Sequence, residues 1–159
     1  MNTPNLSKNF YQLPFRAKVI VGAASYHFEE NWQKNAVDFA LDVGESIFAA
    51  KEGRVISVVD GNGAGGPNKK FLDLTNLVVI EHQQNEYSGY AHLREGILVK
   101  PNQRVKSGQL IGYLGRSGYS TYSHLHFQIM IKSSRGEWNT VPTRFKVNGK
   151  IRDLGSPKE

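Results

Sequence analysis

Apolar and polar residues alternate along this chain with the period of a strand. In Tyr122-Ser123-His124-Leu125-His126-Phe127-Gln128-Ile129, the residues Leu125, Phe127 and Ile129 share one face, while His124 and His126 look out together from the other. Val37, Phe39 and Leu41 likewise lie opposite Ala36, Asp38 and Ala40. The pattern predicts strands over Ala36–Leu41, Ser46–Ala50, Gly53–Asp60, Leu77–Glu81, Tyr87–His92, Gln109–Gly115 and His124–Ile131. Turn residues separate them at Glu52-Gly53, Asn85-Glu86, Ser107-Gly108 and Ser117-Gly118. No helical stripe of ordinary length occurs. The expected fold is all-β: an antiparallel two-sheet sandwich or partly open barrel, with long loops around a groove. Residues 1–9 are polar, carry Pro4 and are expected to form a flexible leader. Residues 10–21 are expected to open the fold as an extended segment, 22–35 to form a loop, and 10–159 to make a single domain.

Composition narrows the class. A chain of 159 residues has room for one domain with a real core. Its 16 glycines, with short runs of Val, Ile, Phe and Tyr, favour many short strands. No apolar stretch approaches the roughly 18 residues of a membrane span. Val19-Ile20-Val21 is too short for the core of a signal peptide, so any export signal lies outside this chain. The absence of cysteine excludes disulfides and thiolate zinc sites, so a metal must use His, Asp or Glu. The formal net charge of +6 favours anionic surfaces such as nucleic acid, a cell wall or a membrane. The basic residues are scattered in runs no longer than two, which is no nucleic-acid footprint.

Residues 61–76 interrupt the strands. Gly61, Gly63 and Gly66 satisfy GxGxxG, but Pro67-Asn68-Lys69-Lys70 follows where a dinucleotide fingerprint must open a helix. The segment is expected to be a mobile surface loop at the rim of a groove.

Two imidazoles on one strand face suit a metal ion or proton transfer. The candidates are His27, His82, His92, His124 and His126, the chain's five histidines, with the carboxylates. Asp38 stands out because its predicted face is otherwise small, so its side chain could enter a pocket. His82 and His92 end two other strands, and spacing alone does not say which strand ends meet. H-E-x-x-H is absent. Gly115-Arg116-Ser117-Gly118 lacks the spacing of a nucleophile elbow, so Ser117 is read as a turn residue.

Taken in order, these pieces resemble the lysostaphin-type (LytM-like) zinc metallopeptidases, the peptidoglycan endopeptidases. The resemblance runs from about Leu13 to Phe145. It is carried by Val37-Asp38-Phe39-Ala40, the run Gly44 to Val55, Val78-Val79-Ile80-Glu81-His82, Tyr90-Ala91-His92-Leu93, the run Val105 to Gly112, and Ser123-His124-Leu125-His126-Phe127. It implies Zn2+ held by Asp38 and His126, with His92 and His124 as the catalytic histidines and His82 structural. The usual pattern has a His four residues before the Asp, where this chain has Lys34. Some members place that His further upstream, and the Tyr11-Gln12-Leu13-Pro14-Phe15 lead-in and Thr140-Val141-Pro142 ending resemble that subgroup. His27 is therefore the expected third ligand.

The resemblance implies a zinc-dependent endopeptidase of the bacterial cell envelope, periplasmic or secreted. It would hydrolyse peptide cross-links of peptidoglycan, with envelope proteins as further partners. The alternative is a catalytically inactive wall-binding or amidase-activating module of the same fold. A lipoyl- or biotinyl-like carrier is weaker, because no Lys occupies a recognisable carrier turn.

Overall fold

The computed structural model describes residues 6–16 and 33–154. They form fourteen strands: β1 (Phe10–Tyr11), β2 (Val37–Ala40), β3 (Ser46–Phe48), β4 (Gly53–Val59), β5 (Gly65–Gly66), β6 (Leu77–Glu81), β7 (Glu86–Ala91), β8 (Arg104–Val105), β9 (Leu110–Tyr113), β10 (Gly118–Tyr119), β11 (His124–Lys132), β12 (Trp138–Val141), β13 (Arg144–Val147) and β14 (Lys150–Asp153). Two short 3-10 helices, Lys69–Leu74 and Gln83–Asn85, are the only helices among these residues. No helix of the described residues is long and apolar enough to cross a membrane.

The large sheet runs β12-β11-β7-β6-β4-β8 and is antiparallel throughout. Strand β11 is long enough to take two partners on one edge: β2 against residues 124–127 and β12 against residues 129–132. The smaller sheets are β3–β9, β1–β13–β14 and β5–β10. The two-residue pairings β1–β13 and β5–β10 are parallel, a local departure from the antiparallel expectation.

The core lies between the large sheet and the smaller ones. Leu125, Phe127 and Ile129 meet Phe39, Val78, Ile80 and Tyr90 from neighbouring strands, with Tyr11, Ile47, Ile111 and Phe145 from outside the large sheet. The Phe127 ring sits 5.2 Å from Tyr90 and 5.5 Å from Phe145, within the range of favourable aromatic pairs. This apolar face fixes the register of β11. A slip of one residue would drive His124 and His126 into the core.

All seven predicted strands form, with ends shifted by at most two residues. The two-residue strands β1, β5, β8 and β10 are too short to show periodicity. Strands β12, β13 and β14 are four residues each and rich in polar and charged side chains, which leaves little periodic signal. Residues 61–76, expected as an open loop, hold β5 and the Lys69–Leu74 helix, which Asn68 caps by accepting from Lys70 N.

Residues 6–9, expected within a flexible leader, are tied down. Ser7 and Asn9 are buried. The buried Glu86 carboxylate accepts from Lys8 N, Asn9 N, Asn9 Nδ2 and Tyr11 OH. Burial, with the Glu86 charge beside it, pushes the Tyr11 phenol well above its ordinary range, so its O–H remains a donor. Polar residues suggest a leader when water is assumed to satisfy them. Here a carboxylate 77 positions from Asn9 does so.

Thr143 carries the one buried side-chain polar atom without a partner among the described residues, its Oγ1. An orphaned buried hydroxyl costs about 1–3 kcal/mol. Thr143→Val keeps the shape and removes that cost, so the denaturation midpoint should stay level or rise, by roughly 2–4 °C per kcal/mol gained. A drop of several degrees in a thermal melt would show that the hydroxyl is used.

Candidate functional site

Strand register assembles the site. Pairing of β2 with β11 sets Asp38 opposite His126, and pairing of β7 with β11 sets Ala91 opposite His126. His92 follows Ala91 directly and so arrives at the same place. The His92 ring centroid lies 4.7 Å from that of His124 and 6.1 Å from that of His126. Asp38 Oδ1 lies 3.1 Å from His126 Nδ1 and 3.7 Å from His124 Nε2. Four of the five residues expected at the site are therefore brought together. The fifth, His27, lies outside the described residues.

His124 and His126 share a face, as their spacing predicts, but that face is not open. His124 is 6% exposed, His126 7% and Asp38 3%. A pair of idle surface histidines is thereby excluded.

Each ring has one nitrogen committed to an oxygen acceptor. His126 Nε2 meets Gln128 Oε1 at 3.0 Å, His124 Nδ1 meets Tyr122 O at 2.9 Å, and His92 Nδ1 meets Ser117 O at 2.8 Å. A carbonyl oxygen only accepts, so His124 Nδ1 and His92 Nδ1 donate. His126 has an oxygen acceptor on each side, Gln128 Oε1 on Nε2 and Asp38 Oδ1 at 3.1 Å from Nδ1. A proton on Nδ1 or a cation between Nδ1 and Oδ1 satisfies that close approach. An imidazole nitrogen and a carboxylate oxygen suit zinc, and the Gln128 contact is the kind of outer partner that fixes a ligating histidine. These residues fit the metal that the sequence implies. Among the described residues no group of three His, Asp or Glu side chains is arranged to hold a metal ion. Lys34, at the family's usual ligand position, is exposed on the turn before β2.

Burial pushes the His92 imidazole down to about 4, reinforced by the neighbouring histidines and opposed by Ser117 O. The ring is therefore neutral at ordinary pH. His82 lies apart from this group, with Nδ1 on Glu52 O and Nε2 on Ser88 Oγ, both at 2.8 Å.

Several contributors were missed in the sequence. Gln128 was legible, two positions from His126 on the same face. Ser117 and Tyr122 were not, because they act through backbone carbonyls that turns bring into place. The turn carrying Ser117 needs its glycines. A Cβ at Gly115 would sit 2.7 Å from Arg94 N, and Gly118 has φ +80° with only 2.0 Å of room against Thr75 Oγ1. The reading of Ser117 as a turn residue holds, and its flanking glycines serve close backbone approach.

The family model described as Peptidase family M23 matches residues 33–138. The chain is 36% identical over 99 residues to the peptidoglycan DD-endopeptidase ShyB of Vibrio cholerae, covering 62% of this chain and 21% of that protein. It is 36% identical over 96 residues to the murein hydrolase activator NlpD of Escherichia coli, covering 60% of this chain and 22% of NlpD. The chain thus spans about a fifth of the length of either relative. The crystallised catalytic domain of lysostaphin from Staphylococcus simulans superposes with a TM-score of 0.51 at 25% identity, covering 93% of this chain and 91% of that domain.

Proposed function

Because the chain belongs to peptidase family M23, we propose that it is a zinc metalloendopeptidase that hydrolyses peptide cross-links of peptidoglycan in the bacterial cell envelope. The observation that carries this reading is the facing pair His126 Nδ1 and Asp38 Oδ1, flanked by two imidazoles with fixed outer nitrogens. Asp38 and His126 would hold zinc with His27 as third ligand. Zinc bound there supplies Lewis acidity, which makes water a nucleophile near neutral pH and polarises a carbonyl.

The histidines supply the proton chemistry. His124 keeps its Nδ1 proton on Tyr122 O and turns Nε2 toward Asp38. It is suited to take the proton of the attacking water. His92 is held by Ser117 O on its Nδ1 side. Its Nε2 side would steady the developing oxyanion or return a proton to the leaving amine. The two roles can be exchanged without changing the residues involved. The basic surface would hold the enzyme on an anionic wall, an attraction that salt screens.

Metal removal tests the reading. The purified protein should carry one zinc per chain, lose cross-link cleavage when a chelator strips it, and regain cleavage when zinc is returned. Cleavage that is equally fast in stripped protein would overturn the proposal. The competing reading, an inactive wall-binding or activating module, draws on the NlpD likeness and on Lys34. It would be favoured by intact wall binding in protein that takes up no zinc.

A further inference from the structure

We propose that Asn76, acting through Leu93 and Ser117, is a positioning residue that sets the direction of the His92 imidazole. Its catalytic consequence rests on the peptidase reading above; its structural consequence does not.

His92 needs outside support. Strand β7 ends at Ala91, and the next residue has φ +66°, a left-handed conformation unfavourable for a side chain with a Cβ. Such a conformation persists only where the surroundings over-determine it. Gly115 N donates to His92 O at 2.9 Å, and His92 Nδ1–H donates to Ser117 O at 2.8 Å. The 115–117 turn therefore grips both the backbone and the ring of His92.

Asn76 locks that turn to the chain just beyond His92. Its N–H donates to Ser117 Oγ at 3.0 Å, and its carbonyl accepts from Leu93 N at 3.2 Å. Its Nδ2 donates to Leu93 O at 3.2 Å and to Asn62 O at 2.8 Å, and its Oδ1 accepts from Asn62 N at 3.0 Å. Ser117 Oγ closes the loop by donating to Leu93 O at 2.7 Å. Asn76 and Leu93 are wholly buried and Ser117 nearly so. A network so satisfied is stiff. The Asn76 main chain thus joins the turn that supplies the acceptor, through Ser117 Oγ, to the strand end that bears His92, through Leu93 N, and its side chain adds a second bond to Leu93 O and anchors both on Asn62. The result is one tautomer, Nδ1–H, with the ring 4.7 Å from that of His124 and 6.1 Å from that of His126.

Long-range 1H–15N spectra at neutral pH read this directly, with the His92 signals assigned by comparison with His92→Gln. The parent protein should show His92 as a single Nδ1–H tautomer. The ring should become a mixture of tautomers in Asn76→Ala, which cuts the side-chain ties to Leu93 O and Asn62, and in Ser117→Ala, which frees the turn from Asn76 N and Leu93 O. With cross-linked peptides as substrate, kcat should fall about 10- to 100-fold, with KM and zinc content unchanged. Ser117→Thr, which keeps the hydroxyl, should restore the single tautomer. If Asn76→Ala does not fold, Ser117→Ala decides. If the parent cleaves nothing, the peptidase reading fails and the spectra alone decide this one. A single Nδ1–H tautomer surviving in the folded variants would overturn it, even with a lowered melting temperature.

Discussion

His126→Ala is expected to abolish zinc uptake and cross-link cleavage together, whereas His124→Ala abolishes cleavage alone. The two imidazoles are two positions apart on β11 and equally buried. Their surroundings differ. His126 has its Nε2 fixed by Gln128 and its Nδ1 directed at the Asp38 carboxylate. Its loss removes one of the two described donors that face each other, and zinc affinity should drop by more than the roughly 10–100-fold typical of an outer partner. His124 has its Nδ1 on Tyr122 O, with Ser120 Oγ also near, and approaches Asp38 only to 3.7 Å. Its loss should leave zinc in place and lower kcat by about 10^2–10^4, the usual worth of a general acid or base. Zinc measured by mass spectrometry or atomic absorption, beside cleavage of cross-linked muropeptides, separates the two. The assignment collapses if His126→Ala retains full zinc, or if His124→Ala cleaves at the parent rate.

The largest stability effect away from the core is expected at Glu86. Its carboxylate accepts from Lys8 N, Asn9 N, Asn9 Nδ2 and Tyr11 OH in a fully buried setting. Glu86→Gln keeps the shape but replaces an accepting oxygen with an NH2 group that faces donors. Hydrogen bonds to a charged group are worth about 1.5–3 kcal/mol each, and a buried donor left alone costs about 1–3 kcal/mol. A net loss of about 3 kcal/mol is expected, or roughly 6–12 °C in Tm for a domain of this size. The damage should be local as well. Amides of residues 8–11 should lose hydrogen-exchange protection before those of β6 and β7, because the carboxylate is what ties this segment to the sheet. A Glu86→Gln protein that melts within a degree or two of the parent would mean that the segment is held by other contacts, such as Arg144 on Ser7 O and Lys8 O.

The seven strands read from the sequence were legible because each carries an apolar buried face, and burial writes period two into the sequence. Val37-Phe39 and Leu125-Phe127-Ile129 show it plainly. Strands β12 to β14 were missed. Arg144-Phe145-Lys146-Val147 does alternate, with Phe145 in the core, but runs of four residues rich in polar and charged side chains carry little periodic signal. The Glu86 anchor was hidden for a similar reason, since a polar leader and a polar segment tied to a buried carboxylate look alike until the fold joins them.

The sequence by itself determined that His124 and His126 share a face, that Asp38 lies on a strand among small residues, and that cysteine plays no part in any metal site. These follow from local geometry and composition. Only the tertiary structure decided that Asp38, His92, His124 and His126 meet, because antiparallel register is set between strands and the apolar face of β11 selects it. Tertiary structure also decided which acceptor holds the outer nitrogen of each ring. That depends on the carbonyls of Ser117 and Tyr122 and on the Gln128 amide, and two of these three reach their places by turns whose conformation no spacing rule encodes.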